Sequence, residues 1–336
     1  MVKSSAPAPP KRIGWLDVAR GLTIILVVIG HVERGLVSAK IAQGPIWTWM
    51  DYTIYTIHMP AFFLFSGITA SMSLRRKAPP AFIKEKLWTI AYPYFLWSLI
   101  QGFVMYGLSA LTNSKESLHG LVSIGWQPIG QFWFLYALMI CQIFGALLFR
   151  YRILFLLLAA CLYIPETFRL PQNILENTGH FMIFYTIGFF DLSGIVLFLR
   201  ERRKTLEVLL PVLFIVATYL SGIADHTNYY SILSLPSTLF GVGFILTFSQ
   251  STHAKWTKGL IALGAASMTI YVLHILFAAG IRILWHKLHL PGDVCLILGV
   301  CSSIGVVGPY IVHQALERLH LLAPLGLASF RRTAAV

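Results

Sequence analysis

Few residues in this chain can do acid–base chemistry or hold an anion, and they recur at helical spacing. The run Leu16-Asp17-Val18-Ala19-Arg20-Gly21 is followed, after an apolar stretch, by Gly30-His31-Val32-Glu33. Arg20 and His31 are eleven residues apart. On an α-helix that spacing returns to within about 20° of the same face, about 16 Å further along the axis. Asp17 falls on the same stripe, about 40° from His31, while Glu33 points nearly opposite. One helix thus carries a carboxylate, a guanidinium and an imidazole on one face. Imidazole is the side chain best suited to general-base work near neutral pH, and a guanidinium binds phosphate or carboxylate. The bland alternative is a local pair between Asp17 and Arg20 three residues apart, with His31 merely near an interface.

A second constellation has Asp51 and His58 seven residues apart with Tyr55 between them. Here too the spacing keeps both within about 20° of one face. A carboxylate beside an imidazole fixes its tautomer and raises its basicity, so Asp51 is expected to steady His31 from a similar depth. Downstream, Pro60 and Gly67 can loosen a membrane helix, or Ser66 and Gly67 can serve close helix packing. Ser267, Tyr271 and His274 share a face at i, i+4 and i+7, and Gln131 and Gln142 share another behind Trp133. His58, Ser66, Tyr271 and His274 are the candidates for a substrate pocket. The basic run Arg75-Arg76-Lys77 and, further on, Lys84 and Lys86 suit the phosphates of a nucleotide-bearing donor such as coenzyme A.

The elements that position these groups follow from composition. Hydrophobic residues make up 57% of the chain and charged ones 12%, about half the charged share of a soluble domain; the mean hydropathy is +0.73. An all-α polytopic membrane protein is expected. A span needs roughly 20 apolar residues, which gives about ten: Trp15–Val37, Trp49–Leu74, Leu87–Leu111, Ile129–Phe149, Tyr151–Ile164, Gly179–Leu199, Leu206–Gly222, Tyr229–Ser249, Gly259–Leu284 and Pro291–Leu316. Residues 1–14 read as a polar tail without a cleavable signal, 15–317 as the membrane domain and 318–336 as a second tail. Placing both tails inside collects 19 of the 26 Lys and Arg on that side, as the positive-inside rule asks. The net charge of +13 is then topology and contact with anionic lipid, with no nucleic acid implied.

No Walker-type or Rossmann glycine motif and no His-Glu-x-x-His occurs, so ATP hydrolysis, hydride transfer and zinc proteolysis lose support. The four cysteines form no close metal-type pair, and neither a metal site nor a disulfide is expected.

These residues resemble the membrane-bound acyltransferase family 3. The resemblance rests on Leu16-Asp17-x-x-Arg20-Gly21 with His31, and on His58-Met59-Pro60-Ala61-Phe62-Phe63-x-x-Ser66-Gly67 in the form typical of fucose O-acetyltransferase-like members. Tyr92-Pro93-Tyr94-x-x-Trp97, Phe132-Trp133-Phe134-Leu135 and Ser267-x-x-Ile270-Tyr271-x-x-His274 extend it, over roughly Trp15 to Leu316. It implies ten membrane helices in a bacterial inner membrane and transfer of an acetyl group from cytoplasmic acetyl-CoA, a substrate rather than a tightly bound cofactor. The acceptor it implies is a sugar of an exported or lipid-linked glycan. It assigns His31 as the essential histidine and Arg20 to the donor path. Many members carry an Arg-x-x-Arg pair before the Pro of the third span, where this chain has Lys84 and Lys86. No esterase-like domain accompanies the spans.

The expected catalytic set is therefore His31, Arg20 and Asp51, with Arg20, Arg75, Arg76, Lys84 and Lys86 on the donor. The rival from another class is a transporter or flippase whose intramembrane Arg, Asp and His form a substrate or proton path; the Arg20–His31 pattern is not repeated in the second half, as paired repeats would ask. A sensor without turnover ranks last. The acceptor, the acyl group and the oligomeric state are not written in these residues.

Overall fold

The computed structural model describes residues 14–107, 118–166, 173–190, 192–250 and 254–328. Residues 1–13 and 329–336 of the two expected tails, and Lys115 and Arg169, lie outside the described residues.

Among the described residues every regular element is helical. The helices are α1 (Gly14–Ser38), α2 (Pro45–Leu74), α3 (Pro79–Lys86), α4 (Tyr92–Gly107), α5 (Leu118–Val122), α6 (Trp133–Leu147), α7 (Arg152–Glu166), α8 (Ile174–Gly188), α9 (Ser193–Glu201), α10 (Arg203–Ala224), α11 (Leu235–Ser249), α12 (Ala254–Ala265), α13 (Ser267–Lys287) and α14 (Val294–Arg318). A π turn, Leu87–Ala91, joins α3 to α4. Among the described residues seven helical stretches are long and apolar enough to cross a bilayer, or eight if α8 and α9 count as one bent span.

Two of the expected spans are broken. The stretch Gly179–Leu199 bends by 77° between α8 and α9. The stretch Gly259–Leu284 stops at Ala266, which leaves helical geometry (φ −88°, ψ 2°), so α13 alone is the long member and α12 lies along α1. Hydropathy marks how much apolar chain is present; where it breaks is set by packing.

That packing is governed by glycine at two crossings. A Cβ on Gly21 would lie 2.2 Å from the Leu260 carbonyl oxygen, and one on Gly264 would lie 1.9 Å from that of Asp17. The α1–α12 contact is therefore backbone against backbone. At the α2–α8 crossing, Gly67 would meet the Tyr185 carbonyl at 2.0 Å and Gly188 that of Leu64 at 2.4 Å. Small residues at such crossings let helices approach closely in lipid. Gly67 thus serves packing, and α2 continues through Pro60 as one helix.

Burial separates the core from the rim. Over half of the apolar windows of α1 and α2 is buried, 56% and 61%, against 22% for α10 and 17% for α14. Val208, Val212, Ile215, Tyr219 and Ile223 of α10 are exposed in a row, a face that suits lipid tails. α1 and α2, which carry the chemistry-bearing stripes, are central.

Candidate active site

The stripe on α1 forms a wall of an internal cavity. Arg20, Ile24, Val27 and His31 line it in order, at three- and four-residue steps. Tyr55, Met59, Phe62, Ser66 and Thr69 of α2 form the second wall with the same periodicity. Lys86 and the π-turn residues Thr89 and Ile90, then Trp133 to Gln142 of α6 and Ser267 to Tyr271 of α13, also line this inner cavity of about 300 Å³. A π turn at a cavity wall is a recurrent functional placement. A second, outer cavity of about 440 Å³ lies beyond His31, bounded by Arg34, Gly35 and Ser38 of α1, Gln101 to Met105 of α4, and His274 to Ile283 of α13. Two residues line both cavities, His31 and Gln131. His31 stands where the two spaces meet.

The tautomer of His31 follows from its partner. Its Nδ1 lies 2.9 Å from the Val27 carbonyl oxygen. A carbonyl only accepts, so the neutral ring carries its proton on Nδ1 and its lone pair on Nε2. His274 is bonded the same way, Nδ1 to the Tyr271 carbonyl at 2.7 Å, and its ring stands edge-on to His31 with centroids 4.9 Å apart. The Nε2 of His274 is buried without a hydrogen-bond partner, and so is the hydroxyl of Tyr55.

The structure pairs Asp51 with Arg34 and gives it no hydrogen bond to His31. Its carboxylate grips Arg34 through two hydrogen bonds, 2.5 Å from Nε and 3.0 Å from Nη2. Arg34 also stacks over Tyr55, its guanidinium carbon 3.3 Å from the ring centroid, and donates to the Tyr229 hydroxyl at 3.3 Å. A guanidinium one turn beyond His31 offers a carboxylate a charged, bidentate partner, which a neutral imidazole cannot match. The backbone carbonyl of Val27 fills the place foreseen for Asp51. Glu33 turns into the protein and is buried, 2% exposed.

His58 lies away from both of these cavities. It is 0% exposed and packs edge-on behind Tyr55 at 4.4 Å. It sits one residue off the Tyr55–Met59–Phe62 stripe, and one residue turns a helix by about 100°. The other pocket candidates divide: Ser66 and Tyr271 face the inner cavity, His274 the outer one.

Of the cations expected at the donor, Arg20 and Lys86 reach the inner cavity. Arg20 also keeps an ion pair with Asp17 at 3.8 Å. Arg75 lines a separate pocket with Trp15 and Ser71. Arg76 and Lys84 are exposed on the surface, away from these cavities, because the turn at residues 75–78 carries the basic run beyond the end of α2.

Gln131 and Gln142 combine both of their readings. They line the inner cavity, and they bond across helices, Gln131 in a reciprocal amide pair with Gln101 at 2.7 and 3.0 Å and Gln142 accepting from Tyr185 at 3.1 Å. The four cysteines are free thiols. Among the described residues no group of three potential metal ligands comes together.

Comparison with known proteins settles the family. The sequence profile of the acyltransferase domain, acyltransferase family 3, matches residues 13–313. The chain belongs to that family. Nodulation protein NolL of Mesorhizobium japonicum is 26% identical over 181 residues, 52% of this chain and 46% of that protein. Nodulation protein NolL of Sinorhizobium fredii is 27% identical over 126 residues, 37% of this chain and 33% of that protein. The matches thus span less than half of either relative's length. No solved structure matches.

For this acyltransferase-family chain, the sequence stripe led to Arg20, His31, Ser66 and Tyr271. It did not single out Arg34 as the partner of Asp51, because that bond joins two helices and leaves no periodic trace. Gln101 was missed for the same reason. A third group, Gly326 to Ala328, also lines the inner cavity from a segment that had been read as a tail.

Proposed function

We propose that this chain is a membrane O-acyltransferase that moves an acetyl group from cytoplasmic acetyl-CoA to a sugar hydroxyl of an exported or lipid-linked glycan. The observation that carries the reading is that His31, with its lone pair on Nε2, lines two cavities at once. A transferase needs a donor and an acceptor to meet at one base, and family membership favours transfer over transport.

In this reading the acyl donor enters the inner cavity. Its anionic groups meet Arg20 and Lys86, and its slender arm follows the stripe of α1 for about 16 Å to His31. The acceptor hydroxyl comes through the outer cavity. His31 Nε2 takes the hydroxyl proton as the oxygen attacks the thioester carbonyl. The Tyr55 hydroxyl, unpartnered on the α2 wall of the inner cavity, is the donor at hand for the developing oxyanion. When the carbon–sulfur bond breaks, the imidazolium returns the proton to the thiolate. The products are an ester and a free thiol, with no net proton released. The reading asks nothing of a metal or a tightly bound cofactor.

The same reading sets the chain in a bacterial inner membrane with the Arg20 end of α1 towards the cytoplasm. Counting Leu87–Gly107, α7 and the bent α8–α9 pair as spans beside the long helices gives ten, with residues 15–317 as the catalytic domain.

The test is transfer of radiolabelled acetyl groups from acetyl-CoA to membrane glycolipids by purified protein. The expected outcome is label in the glycan fraction with the native chain and none with His31→Ala, at equal protein and an unchanged elution profile. Near-native labelling by His31→Ala would remove His31 as the base. Failure of the native protein to bind acetyl-CoA would return the transporter to first place.

A further inference from the structure

Beyond α14 the chain does not leave the protein. It turns back through a compact set of main-chain bonds, Leu321 N–H to the Leu316 carbonyl at 2.8 Å and Leu327 N–H to that of Leu322 at 2.8 Å. Two side chains at the start of α4 then hold it. The Tyr92 hydroxyl donates to the Pro324 carbonyl at 2.8 Å, and the Trp97 indole N–H donates to the Leu325 carbonyl at 3.0 Å. Directly after these anchors Gly326 adopts φ +70°, a conformation that glycine takes without strain. A Cβ there would lie 2.9 Å from Pro93 Cβ. The Tyr92-Pro93-Tyr94-x-x-Trp97 run, which the catalytic set leaves without a task, is thereby explained as a clamp.

What the clamp holds is a piece of the cavity wall. Gly326, Leu327 and Ala328 line the inner cavity with Arg20, Lys86, Thr89 and Ile90. Gly326 and Leu327 are buried, Leu327 at 6% exposed, so this part of the strap is inserted while Leu321, Pro324 and Ala328 stay exposed. The strap is drawn from the opposite end of the sequence to Arg20, and it lines the same cavity as the π turn.

We propose that the strap of residues 320–328, clamped by Tyr92 and Trp97, is a wall of the acyl-donor site, so that a coenzyme A thioester binds between Leu327–Ala328 and the Arg20–Lys86 pair. The proposal rests on the donor reading of the inner cavity. The apolar strap residues face the uncharged arm of the donor, and the two cations face its phosphates. The strap takes no part in the proton transfer at His31, so its effect falls on donor binding.

The experiment measures coenzyme A binding to the full-length chain in lipid nanodiscs, by calorimetry, and the accessibility of the strap. Trp97→Phe removes one clamp bond and Gly326→Ala crowds Pro93. Each is expected to weaken coenzyme A binding about five- to tenfold, with an elution profile like that of the native chain. In a chain with Cys161 and Cys295 replaced by Ser, Ala328→Cys is labelled by a maleimide, and saturating coenzyme A is expected to slow that labelling severalfold. This last arm needs no destabilising change. If the native chain binds coenzyme A while the labelling rate and both variant affinities stay unchanged, the strap is not a wall of the donor site. If the native chain does not bind coenzyme A at all, the donor reading itself falls and takes this proposal with it.

Discussion

His31 and His274 meet edge-on, with ring centroids 4.9 Å apart and planes at 75°, and both hold their Nδ1 protons on carbonyls of their own helices. Their Nε2 atoms are therefore acceptors. The two rings differ in what they face: His31 lines both cavities and His274 only the outer one. On the proposed reading, that difference separates a base acting on the reaction from a group that receives the acceptor.

His274→Gln keeps much of the volume but alters the acceptor geometry. One lost hydrogen bond to a buried group costs about 1–3 kcal/mol, so the acceptor KM is expected to rise about ten- to hundredfold while coenzyme A affinity stays native. Steady-state kinetics with both substrates varied, beside direct donor binding, check this. An equal loss on the donor side would mean that His274 supports the whole junction.

The Arg34–Asp51 pair is testable as a pair. Asp51→Asn and Arg34→Gln are each expected to reduce transfer, and the double variant to be little worse than either single, because both remove the same bidentate contact. Arg34 is 42% exposed on its side chain, so the pair adds only about 0–1 kcal/mol to stability and its effect is on the shape of the outer cavity. A double-mutant cycle on kcat/KM measures the coupling. If Asp51 instead couples to His31 and not to Arg34, the carboxylate acts on the base after all.

What the sequence disclosed and what it withheld follow one rule. The α1 stripe was legible because the helix period turns spacing into direction, and Arg20, Val27 and His31 do share a wall. The α2 stripe was legible in the same way, yet His58, one residue out of its phase, turns from these cavities towards the core. The partner of Asp51, the Gln101–Gln131 pair and the Trp97 clamp on Leu325 join segments far apart in the chain. Nothing local encodes such meetings. The break at Ala266 was hidden because the run on both sides of it stays apolar.

The backbone contact at the α1–α12 crossing sets a stability prediction. Gly264→Ala would push a methyl to 1.9 Å from the Asp17 carbonyl oxygen, so the helices must separate; overpacking of this kind costs about 1–3 kcal/mol. Gly299→Ala on α14 meets nothing within 4 Å and is expected to be neutral. Thermal unfolding in detergent, read by the intrinsic tryptophan signal, should show a clear fall for the first and none for the second. Because Asp17 precedes Arg20 by one turn, the same variant should also weaken donor binding.

Lys86 supplies a pH test of the donor site. It stands at the end of α3, ahead of the third apolar stretch, and burial lowers the pKa of its ammonium from the ordinary lysine value, near 10.4. Glu85 opposes that fall, while Lys77 and Arg20 deepen it. Phosphate groups are held by the charged form, so donor affinity is full below the lowered pKa and is lost as pH rises through it. Coenzyme A affinity is therefore expected to decline on the alkaline side, earlier than an ordinary lysine would cause. Lys86→Arg keeps its charge across the range and should flatten that decline, whereas Lys86→Met should weaken binding below the lowered pKa, converge with the native chain above it and so remove the dependence. Calorimetric titrations from neutral to alkaline pH on the three proteins distinguish these outcomes. If the native and Lys86→Met profiles run parallel, the ammonium is not what holds the donor, and Arg20 alone is left to do it.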